Sequence, residues 1–312
     1  MKIAIIEFNN CHFETLMTWI EYAILKNYDY KIFVDIENIK NNWLDYYNTI
    51  VNIKDNIVLI NELKKTIDDY DILFMNTSHI INTTNTFIKE LKNYNKKTIF
   101  IHHYDKCLFK NTYNNIIVPP LLKKMIKKNI KNNSISYILP IFNVREISKE
   151  NYKYLFCFIG NMRHRELIYF QKILDLSNIY NFKILYMGNY FGIENYDFKN
   201  YNNFVHFKNL SSIKFIEHLS YVKYLLPIIN NKKCYSKKRL TGIIPLSINF
   251  NIPLIINSKI ADIYNFKDIN SIIFNDNNFN EIIIKIINCE YNYLSLKKNL
   301  VNLNKNIINN NN

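Results

Sequence analysis

Short apolar runs rich in Ile, Val, Phe and Tyr recur along the chain, separated by longer stretches of helical periodicity, and this alternation most narrows the folds open to it. Strands that alternate with helices pair in parallel, each helix crossing a sheet face. In the first half, strands are predicted at Lys2–Ile6, Lys31–Asp35, Ile57–Ile60, Asp71–Met75, Thr98–Ile101, Ile116–Val118 and Ser136–Leu139. In the second they fall at Tyr154–Ile159, Lys183–Met187, Phe204–Phe207, Tyr221–Leu226, Pro253–Ile256 and Ser271–Phe274. The clearest helix of the first half is Phe13–Lys26, where Leu16, Trp19, Ile20, Ala23 and Ile24 form one apolar stripe. Helices of the second half are expected near Arg165–Leu176, Ser212–Leu219, Thr241–Phe250 and Glu281–Cys289.

A chain of 312 residues suits two domains of about 150 residues each. Pro140-Ile141-Phe142-Asn143 marks the crossing, because a proline after a strand ends it and sets an extended exit. The prediction is therefore α/β: two tandem Rossmann-like parallel-sheet domains, residues 1–143 and 144–303, facing each other across a cleft. Residues 304–312 form an Asn-rich tail expected to fray.

With 48% hydrophobic and 21% charged residues the chain is not a disordered one. Its net charge of +14 would favour anionic partners, but the alphabet leans toward residues with A- and T-rich codons, Lys among them. Mutational drift thus explains much of that charge. The five cysteines are scattered and never spaced CxxC, so reduced thiols in a cytoplasmic protein are expected. The opening Met1–Glu7 reads as a buried strand rather than a signal segment, and no apolar run approaches the roughly 20 residues that span a bilayer.

Glycine is scarce, and all four glycines, Gly160, Gly188, Gly192 and Gly242, lie in the second half. Arg163, Arg165 and Arg239 lie well inside it too, with the fourth arginine, Arg145, at its edge. Glycine allows positive φ and close backbone approach, and the arginine fork suits phosphate. Gly160-Asn161-Met162-Arg163-His164-Arg165 follows a strand and opens a helix, so its backbone N–H groups and two guanidiniums could converge on an anion. A second basic segment, Ser236-Lys237-Lys238-Arg239-Leu240-Thr241-Gly242, feeds the start of another helix, where Thr241 can cap. The second half is the expected nucleotide holder. The plain alternatives are a tight turn with solvated arginines and a solvated basic loop.

The order FIGN, then VHFKNLSSIKFIEHLSYVKYLLPII, then LTGIIPLSINFNIPLII resembles the donor-binding half of GT-B glycosyltransferases over about Tyr154–Phe274. The resemblance implies a nucleotide-diphosphate sugar held by Gly160, Asn161, Arg163, Arg165, Ser236, Lys237, Lys238, Arg239, Thr241 and Gly242. Many retaining members carry two glutamates eight positions apart around this helix; Lys238 and Leu246 stand there in this chain, which leaves retention versus inversion open.

In the first half, His12, His79, His102 and His103 follow strands, and imidazole can act as a base or bind a sugar hydroxyl. The run Ile99–Asp105 also resembles a strand-plus-His-Asp loop in the acceptor half of some GT-B enzymes. The expected catalytic residues are His103, with Asp105 as its orienter, and then His12. Asp69-Tyr70-Asp71 spells a DxD, but it leads into a strand instead of following one, so no essential metal and no other cofactor is expected. The basic amphipathic stretch Leu121–Lys131 packs on its own sheet or rests on an anionic membrane surface.

The function expected is transfer of a glycosyl group from a nucleotide-diphosphate sugar to an acceptor that is a glycan, a lipid or a protein. The alternatives are a nucleotide- or nucleic-acid-binding module and a GT-B-like scaffold without catalysis. Nucleic acid ranks low because the aromatics fall in core strands. A dehydrogenase ranks lower, since neither half has the dinucleotide glycine fingerprint.

Overall fold

A computed structural model describes residues 1–8, 13–40, 42–76, 98–102, 114–117, 135–137, 139–143, 145–147, 149, 151–189, 193, 197–229 and 241–311. The chain divides into two compact units, with the break between Phe142 and Asn143.

The first unit carries a seven-stranded sheet, all of its pairings parallel. Its strands are β1 (Lys2–Glu7), β2 (Asp29–Val34), β3 (Ile57–Leu59), β4 (Ile72–Met75), β5 (Thr98–His102), β6 (Asn114–Ile117) and β7 (Ile135–Tyr137). The spatial order β3-β2-β1-β4-β5-β6-β7 starts in the middle with β1 and reverses direction between β1 and β4. Ile3, Ala4, Ile5 and Ile6 of β1 are all fully buried. A central parallel strand is covered on both faces, which is why it reads as a continuous apolar run and not as an alternation.

Helix α1 (Leu16–Leu25) follows a 3₁₀ turn at Phe13–Thr15. It buries Leu16, Trp19, Ile20 and Ala23 of the predicted stripe, but Ile24 is exposed. The helix stops one residue later, and Asn27 at φ 54° turns the chain away, so Ile24 has no sheet beneath it. The Asp69–Asp71 stretch does lead into β4: the Asp71 carboxylate accepts the Lys2 backbone N–H at 2.7 Å, pinning strand starts together. Helices α2 (Asn42–Ile50) and α3 (Ile60–Thr66) complete the described part.

The second unit has a six-stranded parallel sheet: β8 (Tyr154–Ile159), β9 (Ile184–Met187), β10 (Phe204–Phe207), β11 (Val222–Leu225), β12 (Leu254–Asn257) and β13 (Ser271–Phe274). Its order β10-β9-β8-β11-β12-β13 reverses between β8 and β11. Its helices are α4 (Leu167–Tyr180), α5 (Ser212–Leu219), α6 (Ile243–Asn249), α7 (Ser258–Tyr264), α8 (Phe279–Ile287) and α9 (Tyr293–Asn311). Phe156, Phe158, Phe170, Tyr186, Tyr224 and Phe274 anchor one core cluster here. Cys157 is buried in β8, where loss of water pushes its thiol well above the ordinary value.

The end of the chain departs from expectation, because α9 runs on to Asn311 as one helix of 19 residues. Leu296, Leu300 and Asn304, four apart, are buried on one face, so an asparagine takes the third core position. Asparagine also ends helices: Asn27, Asn181, Asn251 and Asn265 have positive φ after α1, α4, α6 and α7. No helix among the described residues is long and apolar enough to cross a membrane. The stretch Leu121–Lys131 lies outside the described residues.

Candidate active site at the strand ends of the second unit

In open parallel sheets, ligands bind beyond the carboxyl ends of the strands where the strand order reverses. In the second unit that point lies between β8 and β11, and the loops after these two strands are stitched together. Arg165 forms an antiparallel bridge with Ile229, and the Glu166 N–H donates to the Ile228 carbonyl at 2.8 Å. Ile228 is held at φ 34°, an uncommon conformation for a β-branched residue.

The turn after β8 begins at Gly160, whose φ of 87° is one that L side chains rarely adopt. The Asn161 side chain accepts the Arg163 N–H at 2.8 Å and caps the 3₁₀ turn Met162–His164. Arg163 is exposed, whereas Arg165 is only 7% exposed and donates from its guanidinium to the Ile159 carbonyl at 3.0 Å. The sequence grouped these two arginines as equals. The fold separates them into a surface cation and one tied to Ile159, the last residue of β8.

Beneath the Gly160 turn sits Gly188, the residue after β9. A Cβ there would lie well inside contact distance of the Gly160 carbonyl oxygen and 2.9 Å from its carbon. Tyr186 donates its hydroxyl to the Gly160 carbonyl at 3.0 Å and also meets the Asn189 carbonyl. His206 of β10 stacks on Tyr186, ring centroids 4.9 Å apart, and its Nε2–H donates to the Gly188 carbonyl at 2.6 Å. Three adjacent strand ends are thus locked by one tyrosine and one histidine. Tyr186→Phe would remove the one hydroxyl proton that the Gly160 and Asn189 carbonyls share, and a loss of about 1–3 kcal/mol in urea unfolding is expected, with the Gly160 turn loosened.

Thr241 is buried, but it is not the N-cap of α6: that position belongs to Gly242, with no side-chain cap. The Thr241 carbonyl instead accepts the Ile244 N–H at 3.1 Å, which starts the helix two residues later than predicted. Ser236, Lys237, Lys238 and Arg239 lie outside the described residues, as do His12, His79, His103 and Asp105.

Sequence reading missed a buried polar cluster at the corresponding reversal point of the first unit, between β1 and β4. Glu7, the last residue of β1, is fully buried and accepts the Asn76 side-chain N–H at 2.6 Å. Asn76 in turn accepts from Trp19 Nε1 at 2.7 Å and Thr15 Oγ1 at 3.0 Å. The available signal was a glutamate ending an otherwise apolar strand. Among the described residues no group of three or more His, Cys, Asp or Glu is placed to hold a metal ion.

No family model matches the chain, and no curated protein matches it by sequence. Solved structures do match its architecture along its whole length. The T4 phage beta-glucosyltransferase, described as a DNA-modifying enzyme, aligns at TM-score 0.57 and 16% identity over 100% of this chain and 95% of that one. The Anabaena HepE protein in complex with UDP-glucose aligns at TM-score 0.62 and 9% identity over 99% and 95%. A glycosyltransferase from Rickettsia africae ESF-5 aligns at TM-score 0.59 and 10% identity over 99% and 96%. Two tandem parallel sheets, each reversing beside its first strand, and this full-length likeness together give the chain the GT-B glycosyltransferase fold.

Proposed function

We propose that the protein is a glycosyltransferase that takes its sugar from a nucleoside-diphosphate donor, UDP-glucose being the first to test. The observation that carries the reading is the Gly160–Arg165 turn at the reversal point of the second sheet, backed by Gly188 and braced by Tyr186 and His206. The N–H groups of Gly160, Arg163 and Arg165 are already bonded to Met187, Asn161 and Met162, so in this reading the diphosphate meets the N–H groups of Asn161 and Met162 with the exposed Arg163 beside them, which stabilise it as a leaving group. HepE and the T4 enzyme have been solved with UDP-glucose, which supports this donor class.

In this reading residues 144–303 hold the donor through Gly160, Asn161, Arg163, Arg165, Ser236, Lys237, Lys238, Arg239, Thr241 and Gly242. Residues 1–143 present the acceptor, with His103, oriented by Asp105, as the general base and His12 as the second candidate. The chain works in the cytoplasm, at most resting on a membrane surface.

The test is calorimetric titration of UDP-glucose against ADP-glucose and GDP-mannose, followed by release of free sugar or its transfer. Saturable binding of one donor, competed by the free nucleoside diphosphate, is expected. Absence of binding by every sugar nucleotide would sink the proposal.

Transfer needs no divalent metal in this proposal, since cationic side chains and backbone N–H groups take the diphosphate charge. The T4 enzyme has been solved with UDP and Mn²⁺, so the point needs its own measurement. Turnover in excess EDTA is expected within about twofold of that with added Mn²⁺. Loss of activity in EDTA, restored by Mn²⁺, would refute metal independence.

A further inference from the structure

The loops that precede the strands of the second sheet meet at its opposite edge, away from the Gly160 turn. Asn151–Lys153 lead into β8, Phe182 and Lys183 into β9, and Tyr221 into β11. There a concavity of about 570 Å³ is lined by Tyr152, Lys153, Asn181, Phe182, Lys183 and Lys223 among others. That is within the range of about 300–1,000 Å³ typical of ligand sites. No carboxylate lines it, and Lys153, Lys183 and Lys223 enter no ion pair among the described residues.

The cationic surface continues past the rim. Lys149 Nζ donates to the Tyr221 hydroxyl at 2.8 Å and stands 4.3 Å from the ring centroid, while Lys153 Nζ stands 4.0 Å from the same centroid. These two ammonium groups hold the Tyr221 phenol below its ordinary value, the Lys149 hydrogen bond contributing most. Lys223 Nζ lies 5.7 Å from the Tyr224 ring and 5.6 Å from Tyr293. Converging like charges repel, and a concavity of one sign concentrates counter-ions. Lysines are point charges that meet phosphate oxygens without reading sequence, and aromatic faces among them accept stacked bases. Tyr221, which the sequence reading placed in a core strand, is only half-buried at this edge, as are Tyr152 and Phe182 just ahead of β8 and β9.

We propose that this edge of the second unit docks single-stranded nucleic acid, with Lys149, Lys153, Lys183 and Lys223 on phosphates and bases meeting the part-exposed rings of Tyr152 and Phe182, which are held edge-to-face by Tyr293 and Phe156. The site does not rest on the glycosyl-transfer reading, because it lies at the other end of the strands from the donor turn.

Fluorescence anisotropy of a labelled oligothymidine with the full chain tests it. Each phosphate contact on a single strand contributes about −0.7 to the slope of log affinity against log salt. Three or four contacts therefore predict a roughly 20- to 50-fold loss of affinity between about 50 and 200 mM salt. The triple variant Lys153→Gln, Lys183→Gln, Lys223→Gln should bind at least about tenfold more weakly, with a salt slope flatter by about 2. Its melting temperature and its UDP-glucose affinity should match the parent's, which separates failure of this site from failure of the donor site. The proposal is overturned if the oligonucleotide does not bind, or if the triple variant binds it unchanged. It is also overturned if inorganic polyphosphate competes as well as the oligonucleotide, which would mean charge without stacking. Binding to phosphatidylserine vesicles that the oligonucleotide cannot compete would reassign the surface to lipid.

Discussion

Gly188→Val is expected to lower the melting temperature of the second unit by about 6–12 °C. The new side chain would be driven into the backbone of Gly160, which cannot rotate away as a flexible side chain could. Overpacking a rigid site costs about 3 kcal/mol at the upper end of the usual range, and each kcal/mol shifts a domain of this size by about 2–4 °C. Because the displaced atoms belong to the proposed donor turn, affinity for the nucleotide-sugar should fall with stability. Differential scanning calorimetry and donor titration on the same preparation check both. Gly242→Ala is the control for stability alone: among the described residues no atom lies within 4 Å of a Cβ there, and its φ of −58° suits any residue, so its melting temperature should match the parent's. Equal damage from both variants would mean that the Gly160–Gly188 approach is not what constrains the site.

His103→Ala is expected to slow turnover about a hundredfold or more while leaving donor affinity little changed, as loss of a group acting on proton transfer does. Arg239→Ala should give the opposite pattern, a donor affinity weaker by about tenfold or more with the chemical step less affected. Single-turnover assays beside calorimetry separate the two. If His12→Ala abolished turnover and His103→Ala did not, the base would belong to the loop after β1. If neither histidine mattered, a scaffold without catalysis would be the better description.

The strands were legible because a parallel sheet buries both faces, so each strand is a block of apolar residues that needs no partner to be recognised. The thirteen strands fall within a residue or two of the predicted ends, though β3 and β10 are only half-buried and β6 opens on Asn114 and Asn115, so these three are legible from β-rich residues and not from two buried faces. The helix Tyr293–Asn311 was not legible, since its third core position is Asn304 and asparagine reads as a tail residue. At the site, Gly160 stood out as a scarce residue after a strand, and its positive φ matches the reason for noticing it. The bracing by Tyr186 and His206 was hidden, because a tyrosine inside a strand reads as core. Glu7 and Asn76 are 69 positions apart and meet only once β1 and β4 pair.

The asparagines at helix ends set apart two classes of glycine position. A left-handed helix end needs a residue that tolerates positive φ, and asparagine tolerates it well enough to be exchanged for glycine. Asn27, Asn181, Asn251 and Asn265 hold that conformation at four sites. No such exchange is open at Gly188, where any side-chain atom collides with backbone, and asparagine there would fail as surely as valine. A gene losing glycine codons could therefore give up its helix-end glycines one at a time, while this position stays fixed by geometry.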